Sequence, residues 1–504
     1  MHLRGKTFLI WLIAFCFVAQ MNVQAAEKEE NNHMTFYEDG DVVGFIGDSI
    51  THAEYVPVNY IESLYHYYLS RFPERKVEFR NLGIAGYTTK DVLDIYDKDR
   101  AFQGINKAVI MLGMNDALQE VSIQDSIRHM EELILRLKAD GLKGEDILVL
   151  SPTPYDQTCA LNYDKNGFPY HKTDDILKEF TEQLAEKTKE WSVNYLDLHT
   201  PMVELSKEIQ REDAKNTLTI GDCIHPNITG QMIMSYYILK AQGADVPISE
   251  IYLPGEGQAQ TVSDEITDFY RGDHGICWTW KPKTLPVPVT DEFQQFLQAF
   301  APGDTLYQEP LEVEGLLEDT IYTVAMGEAE LGTFTGRELA EGINLAMLET
   351  NPLQAIVQQA EVRNREWHQE SAKYRNLCYS ATAEDIDYTI DQLQNDFEEW
   401  EAMDAELRNE MYGIVQDAVK DTFRMTITEE GYSVEEIEKE AEEARRRAEE
   451  ARREAAEREE REKLEREEAQ RKAFRQKLFV LILGSLTAVT ALVSLFYIRK
   501  RKNK

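Results

Sequence analysis

The stretch DVVGFIGDSITH, residues 41–52, decides the fold class of this chain. Its first half is an apolar run with the length of one buried strand, and the run ends at Gly47. Such a run, bounded by a turn residue, is typical of a strand in a parallel sheet that is covered on both faces. The apolar spacing of residues 60–69, which follow, predicts a helix packed on that strand.

The same alternation continues to about residue 245. Further apolar runs predict strands at 77–84, 107–113, 146–150 and 193–196, and amphipathic segments predict helices at 90–97, 122–139, 174–191 and 229–239. Strands that alternate with helices in this way form a parallel sheet between two layers of helices. Because ligands bind such sheets at the carboxyl ends of the strands, we expect the functional residues directly after the strands.

Four segments carry candidate functional residues, and each segment alone has an ordinary structural explanation. Ser49 and Asn115 follow predicted strands, where either could simply cap a helix. Gly86 could be an ordinary turn glycine. Asp222 stands three residues before His225 and could hold its ring in one tautomer, but a single Asp-x-x-His pair is a weak signal in a chain with ten histidines.

Together and in this order, the four segments resemble the signature blocks of the SGNH/GDSL hydrolase family. The blocks are GDSI at 47–50, NLGIAG at 81–86, GMND at 113–116 and DCIH at 222–225. Residues 41–245 are therefore similar to this family, and in particular to its secreted bacterial esterases and lipases. The resemblance implies a flavodoxin-like α/β fold of three layers, α/β/α, around a parallel sheet.

The resemblance also implies roles for individual residues. Ser49 would be the nucleophile, His225 the base that takes its proton, and Asp222 the residue that orients His225. The amides of Ser49 and Gly86 and the side chain of Asn115 would form the oxyanion hole. No metal ion and no cofactor is implied.

The sequence departs from the family pattern directly after the nucleophile. The family motif often reads GDSxTxG, whereas this chain continues Thr51-His52-Ala53, so that Ala53 replaces a turn glycine. His52 lies close to Ser49 in the sequence, and Tyr155 follows the fourth predicted strand. Both are candidates for contact with the substrate, although the segment around Tyr155 could equally be a plain rigid turn.

The resemblance predicts a serine esterase. We infer that its substrates are short acyl esters, acetyl esters above all, of carbohydrates or similar polar molecules. The alternatives are a lipase or thioesterase of the same fold, and a catalytically silent SGNH protein that only binds at a surface. The net charge of -37 argues against a nucleic-acid partner, because nucleic-acid binding requires a basic face. It also disfavours a phospholipase, because anionic lipid would repel an acidic protein.

The remaining segments predict export and membrane attachment. They are a signal peptide at 1–25, an irregular, β-containing extension at 246–350, a helical region at 351–432, a charged helical stalk at 433–477, a transmembrane helix at 478–498 and a basic cytoplasmic tail at 499–504. This order predicts a single-pass protein of the cell membrane with its N-terminal part outside the cytoplasm. The stalk is either one long helix or a coiled coil that joins two chains in a dimer.

Two further features remain open at the level of sequence. Four of the five cysteines lie after the predicted signal peptide, at positions 159, 223, 277 and 378. Cys159 and Cys223 both fall on loops near the predicted catalytic edge, so a disulfide between them is a hypothesis. Trp278 and Trp280 could stack on a sugar ring or pack in the core.

Overall fold

The computed structural model describes residues 35–158, 172–261, 264–301, 303–382 and 388–502. The predicted signal peptide and Cys159 lie outside these ranges. The described residues up to 269, together with 278–430, form one compact unit. Residues 270–277 and those from 431 onward form the other.

The hydrolase region is built on a five-stranded parallel sheet. Its strands are β1 (Val42–Gly47), β2 (Glu78–Gly83), β3 (Lys107–Met111), β4 (Ile147–Leu150) and β5 (Asn194–Leu196). They pair in the order β2-β1-β3-β4-β5, and every pair is parallel. This is the order of a flavodoxin-like doubly wound sheet, so the predicted α/β fold is confirmed.

Helices connect these strands and cover the sheet. They are α1 (Ser49–His52), α2 (Tyr60–Arg71), α3 (Thr89–Tyr96), α4 (Met114–Leu118), α5 (Ile123–Ala139), α6 (Thr173–Trp191), α7 (His199–Glu212) and α8 (Ile228–Ala241). The sequence did not predict α7. Its N-cap position holds Leu198, whose side chain makes no capping hydrogen bond, so the usual start signal of a helix is missing there.

The extension after α8 contains two further sheets. Its strands are β6 (Ile251–Leu253), β7 (Gln260–Thr261), β8 (Glu265–Arg271), β9 (Gly275–Lys281), β10 (Pro310–Val313), β11 (Ile321–Met326), β12 (Ala329–Thr335), β13 (Ile343–Asn344) and β14 (Phe423–Glu429). One sheet has the order β13-β10-β6-β7 and the other β12-β11-β14-β9-β8. Trp278 and Trp280 on β9 are fully buried, so they pack in the core.

Four helices accompany these sheets, and the predicted helical region is corrected. The helices are α9 (Asp291–Phe300), α10 (Gly336–Glu341), α11 (Pro352–Thr382) and α12 (Ile390–Ala418). The region 351–432 is not helical throughout, because β14 pairs antiparallel with β11.

Helices α11 and α12 pack on each other and on the hydrolase region. The rings of Tyr374 and Trp400 stack with centroids 4.9 Å apart. One apolar cluster joins these two helices to the strands and helices of the hydrolase region, including Ile46 and Ile110. Arg375 on α11 forms an ion pair with Asp99, and neither side chain has any exposed surface.

The second unit is dominated by one long helix, α13 (Val434–Lys502). Glu443 and Arg447 form an ion pair one turn apart, as do Arg453 and Glu457. Such pairs support a solvated helix. Within the described residues, Val434–Leu495 of this helix is long and apolar enough to cross a membrane, judged by length and composition. Dimerisation through the stalk stays a prediction.

Candidate active site

Ser49 is presented by a tight turn at the carboxyl end of β1. The carboxylate of Asp48 caps α1 and accepts a hydrogen bond of 2.9 Å from the Ile50 amide. Asp48 therefore has the capping role that Ser49 alone could have had, and the Ser49 hydroxyl is available for another partner. Gly47 is required here, since a Cβ on it would lie 2.0 Å from Oγ1 of Thr51.

The structure brings His225 and Asp222 to Ser49. Nε2 of His225 lies 2.8 Å from Oγ of Ser49, and Nδ1 of His225 lies 2.5 Å from Oδ2 of Asp222. The other carboxylate oxygen of Asp222 accepts hydrogen bonds of 2.9 Å from the amides of Ile224 and His225. A continuous chain of hydrogen bonds thus runs from the carboxylate through the imidazole to the hydroxyl.

The charge on Asp222 fixes the tautomer of His225. Burial acts to raise the pKa of Asp222, but hydrogen bonds from the His225 ring and from two backbone amides outweigh it and hold that pKa below its usual value. A carboxylate can only accept, so Nδ1 of His225 carries the proton that is donated to Asp222. In the neutral ring Nε2 then has a lone pair, which can accept the Ser49 hydroxyl proton.

The two other predicted residues follow the neighbouring strands β2 and β3. Gly86 is exposed to solvent, and its backbone lies in the left-handed region with φ of 82°. Its carbonyl oxygen accepts a 3.3 Å hydrogen bond from Gln119. Asn115, in the first turn of α4, donates a 3.0 Å hydrogen bond from Nδ2 to the carbonyl oxygen of Tyr87. An amide NH2 has two hydrogens, so one N–H of Asn115 remains for a further acceptor.

Two residues that the sequence analysis did not single out support His225. The ring of Tyr55 lies 4.7 Å from the His225 ring, centroid to centroid. The Tyr55 hydroxyl accepts a 2.8 Å hydrogen bond from Nε2 of Gln231, which is fully buried on α8. Oε1 of Gln231 accepts from the Tyr60 amide at 3.0 Å. The only sequence signal was a glutamine among the apolar residues of a predicted helix.

Asp48 carries an unusual carboxyl next to this chain of hydrogen bonds. Burial raises the pKa of Asp48 to about 7, and the nearby Asp116 adds to the rise. The hydrogen bond from the Ile50 amide and the proximity of His225 act in the opposite direction. Burial also raises the pKa of Asp116, which accepts a 3.0 Å hydrogen bond from the Thr89 amide.

The two predicted substrate contacts are buried. His52 is 4% exposed, and its Nε2 donates a 3.1 Å hydrogen bond to the carbonyl oxygen of Ala372 on α11. Tyr155 is 5% exposed, and its amide donates to Asp174 at 3.0 Å. This burial argues against a direct contact with substrate for either side chain. The hypothesis of a Cys159–Cys223 disulfide stays a prediction, because Cys159 is outside the described residues.

Residues 45–233 match the sequence model of the GDSL-like Lipase/Acylhydrolase family. This region belongs to that family. The predicted resemblance is thereby confirmed, and the chain is an ester-hydrolysing enzyme. Among the described residues, no group of three or more His, Cys, Asp or Glu side chains is arranged to hold a metal ion.

Several solved structures are similar to this chain. A gut microbial diltiazem-metabolizing enzyme, BT4096, is 21% identical, and the match covers 79% of this chain and 99% of that chain with a TM-score of 0.66. A catalytic mutant of Axe2, an acetylxylan esterase from Geobacillus stearothermophilus, is 18% identical over 41% of this chain and 96% of its own, with a TM-score of 0.33. The first likeness shows a shared fold that extends beyond residues 45–233. No curated protein sequence matches the chain.

Proposed function

We propose that Ser49, His225 and Asp222 form the catalytic triad of this hydrolase. The proposal is supported above all by the 2.8 Å and 2.5 Å contacts that His225 makes with Ser49 and Asp222. A serine hydroxyl is a poor nucleophile until a base removes its proton. Nε2 of His225 is within reach of that proton, and Asp222 stabilises the imidazolium that forms.

The reaction then proceeds in two halves. Oγ of Ser49 bonds to the ester carbonyl carbon while His225 takes the hydroxyl proton. The tetrahedral intermediate collapses when the bond to the alcohol oxygen breaks and His225 gives its proton to the departing alcohol. Water next attacks the acyl-serine, His225 takes a proton from that water, and collapse returns the proton to Ser49 as the carboxylic acid leaves.

The negative charge that develops on the carbonyl oxygen requires donors placed in advance. We assign this role to the amides of Ser49 and Gly86 and to the side chain of Asn115. The hydrogen bond from Asn115 to the Tyr87 carbonyl fixes the amide beside the turn that carries Gly86. Donors held in this way stabilise the transition state without reorganising during the reaction.

The substrate we propose is a short acyl ester, an acetyl ester in particular, of a carbohydrate or a similar polar molecule. The net charge of -37 supports a neutral or cationic polar substrate over an anionic lipid. Acetate release from acetylated polysaccharides by the full chain in detergent micelles tests this substrate class. Faster hydrolysis of long-chain than of acetyl esters would instead favour a lipase or thioesterase.

We further propose that the protein is exported and anchored in the cell membrane by residues 478–498. The support is the continuous helix α13 and the basic residues that follow its apolar segment, because positive charge stays on the cytoplasmic side. Protease treatment of intact cells should remove the hydrolase region and leave the C-terminal tail in the membrane fraction. Recovery of the full chain in the soluble fraction would contradict this arrangement.

A fluorophosphonate probe that reacts with activated serines tests the triad directly. The parent should be labelled, and Ser49→Ala should lose both labelling and ester hydrolysis. Ser63→Ala is the matched control, because its buried hydroxyl is paired with Ser235, at 2.8 Å, and has no part in the proposed triad. This control should keep both properties. Hydrolysis by Ser49→Ala at the parental rate would refute the mechanism.

A further inference from the structure

Helix α11 lies outside the residues that match the family, yet it runs along the loop after Ser49. Nε2 of His368 is 3.3 Å from the carbonyl oxygen of Ala53. One turn later the carbonyl oxygen of Ala372 accepts from His52, and one turn beyond that Asn376 donates a 2.9 Å hydrogen bond to Glu54. Contacts spaced four residues apart lie on one face of a helix, so this face of α11 follows residues 52–54.

The contacts of His52 and His368 run in opposite directions between α11 and residues 52–54. We name these two side chains the histidine clasp. Each side chain is at most 4% exposed. His52, the last residue of α1, donates to the backbone of α11, while His368, on α11, donates to the backbone of the loop that follows α1. Nδ2 of Asn59 lies 2.7 Å from Nδ1 of His368 and 3.1 Å from its Nε2. In the neutral tautomer that carries its proton on Nε2, Nδ1 accepts from Asn59 and Nε2 donates to the Ala53 carbonyl oxygen.

The backbone that the clasp holds is one that an alanine rarely adopts. Ala53 has φ of 51° and ψ of 30°, the left-handed region, where a Cβ atom is crowded by the following carbonyl. The sequence has alanine here where the family motif often has glycine, so the turn carries a steric cost. A residue in such a conformation persists only when its surroundings hold it there, and the hydrogen bond from His368 ends on this residue.

The same loop reaches both partners of the proposed triad. Ser49 is four residues before Ala53, and the Ala53 amide donates a 2.9 Å hydrogen bond to the Ser49 carbonyl oxygen. Tyr55, two residues after Ala53, places its ring against His225. A shift of residues 53–55 would therefore change the position of the nucleophile relative to the base.

We propose that the histidine clasp between α1 and α11 positions the catalytic residues of this hydrolase, with His52 and His368 acting as positioning residues that do not touch the substrate. This inference rests on the proposed roles of Ser49 and His225. It assigns a part in catalytic geometry to the C-terminal extension, more than 300 residues along the chain from the loop that it holds.

The test compares His368→Ala, His368→Gln and His52→Leu in the full chain. Kinetics on a short acyl ester and the rate of fluorophosphonate labelling should show kcat and labelling reduced about 10- to 100-fold in His368→Ala and His52→Leu, with KM changed less than about twofold, because small misplacements of reacting groups cost rate rather than ground-state binding. His368→Gln should recover most of the rate, since its amide nitrogen can still donate to the Ala53 carbonyl.

The matched control is Asn364→Ala on the same helix. Asn364 is fully buried and donates a 3.0 Å hydrogen bond to the Glu62 carbonyl oxygen, away from the catalytic loop. The Asn364→Ala variant should lower the melting temperature as the clasp variants do, but it should keep the parental kcat. The proposal is overturned if His368→Ala lowers the melting temperature as much as Asn364→Ala does and yet keeps parental kcat and labelling. Should His368→Ala not fold, His52→Leu decides by the same comparison. Full activity of Ser49→Ala would instead refute the proposed function itself.

Discussion

Replacing Arg375 by methionine tests how strongly the ion pair beneath α11 holds this helix on the hydrolase region. Arg375 pairs with Asp99, and both side chains have 0% exposure. Asp99 also accepts hydrogen bonds of 3.0 Å from the Ala101 amide and from the Tyr374 hydroxyl. The Arg375→Met variant keeps most of the apolar contacts of the side chain, but it leaves the Asp99 carboxylate buried without its cation.

The expected loss follows from the two ways in which the variant can respond. Removing one partner of a buried pair costs about 3–5 kcal/mol. Taking up a proton sets an upper limit, because protonating a carboxyl group with a reference pKa of about 3.9 costs about 4 kcal/mol at pH 7 and about 1.5 kcal/mol at pH 5. Arg375→Met should therefore lower the free energy of unfolding by about 3–4 kcal/mol at pH 7 and by about 1–2 kcal/mol at pH 5.

Urea unfolding of the full chain in detergent, followed by tryptophan fluorescence at both pH values, measures this difference. The double variant Asp99→Asn/Arg375→Met buries no charge, and its asparagine oxygen can still accept from Ala101. It should regain most of the stability at pH 7. A loss below about 1 kcal/mol in the single variant, or an equal loss at pH 5 and pH 7, would refute the reasoning.

Three other predictions concern the site and its surroundings. Asn115→Ala should lower kcat for ester hydrolysis about 10²- to 10³-fold, because a donor to the oxyanion is lost; a fall of less than about tenfold would contradict that role. Asp222→Asn should lower kcat about 10²- to 10⁴-fold by favouring the wrong tautomer of His225, and kinetics near the parental rate would count against the triad. Burial raises the pKa of Glu62 to about 8 from 4.5. The folded state thus holds this proton more tightly than the unfolded state, and stability is lost as pH rises from about 4.5 through about 8. Glu62→Gln should be more stable than the parent by about 1–3 kcal/mol at pH 9 but not at pH 4, and equal urea midpoints at pH 9 would contradict this.

The sequence was sufficient to predict the parallel sheet and the residues that meet at its edge. The apolar runs that predict the strands, such as the one that ends in Gly47, are local signals, and parallel strands bring their carboxyl ends to one edge whatever the details of packing. Ser49 and His225 are 176 residues apart, yet both could be predicted because each stands at a loop with a recognisable motif.

Where the predictions from the sequence differ from the structure, each difference has a particular physical reason. In β14, Phe423, Met425 and Ile427 alternate with polar residues, the period of a strand, but the segment lies between two long helices and was assigned to the helical region. Helix α7 lacks a capping side chain. His52 was a candidate for contact with the substrate because it lies close to Ser49 in the sequence; its partner is a backbone carbonyl 320 residues away, which no local signal indicates.

The departure from the family motif and the extension outside the family region meet at one place in the structure. Ala53 removes the freedom that a glycine would give the turn, and the contact that holds this turn comes from α11. The core shows the same dependence, since Phe397 and Trp400 of α12 belong to the apolar cluster that also contains Ile46 of β1. A hydrolase region whose core and catalytic loop are both completed by later helices is not an independent domain joined to an accessory one. We therefore expect its active geometry to depend on the hydrolase region and the extension together.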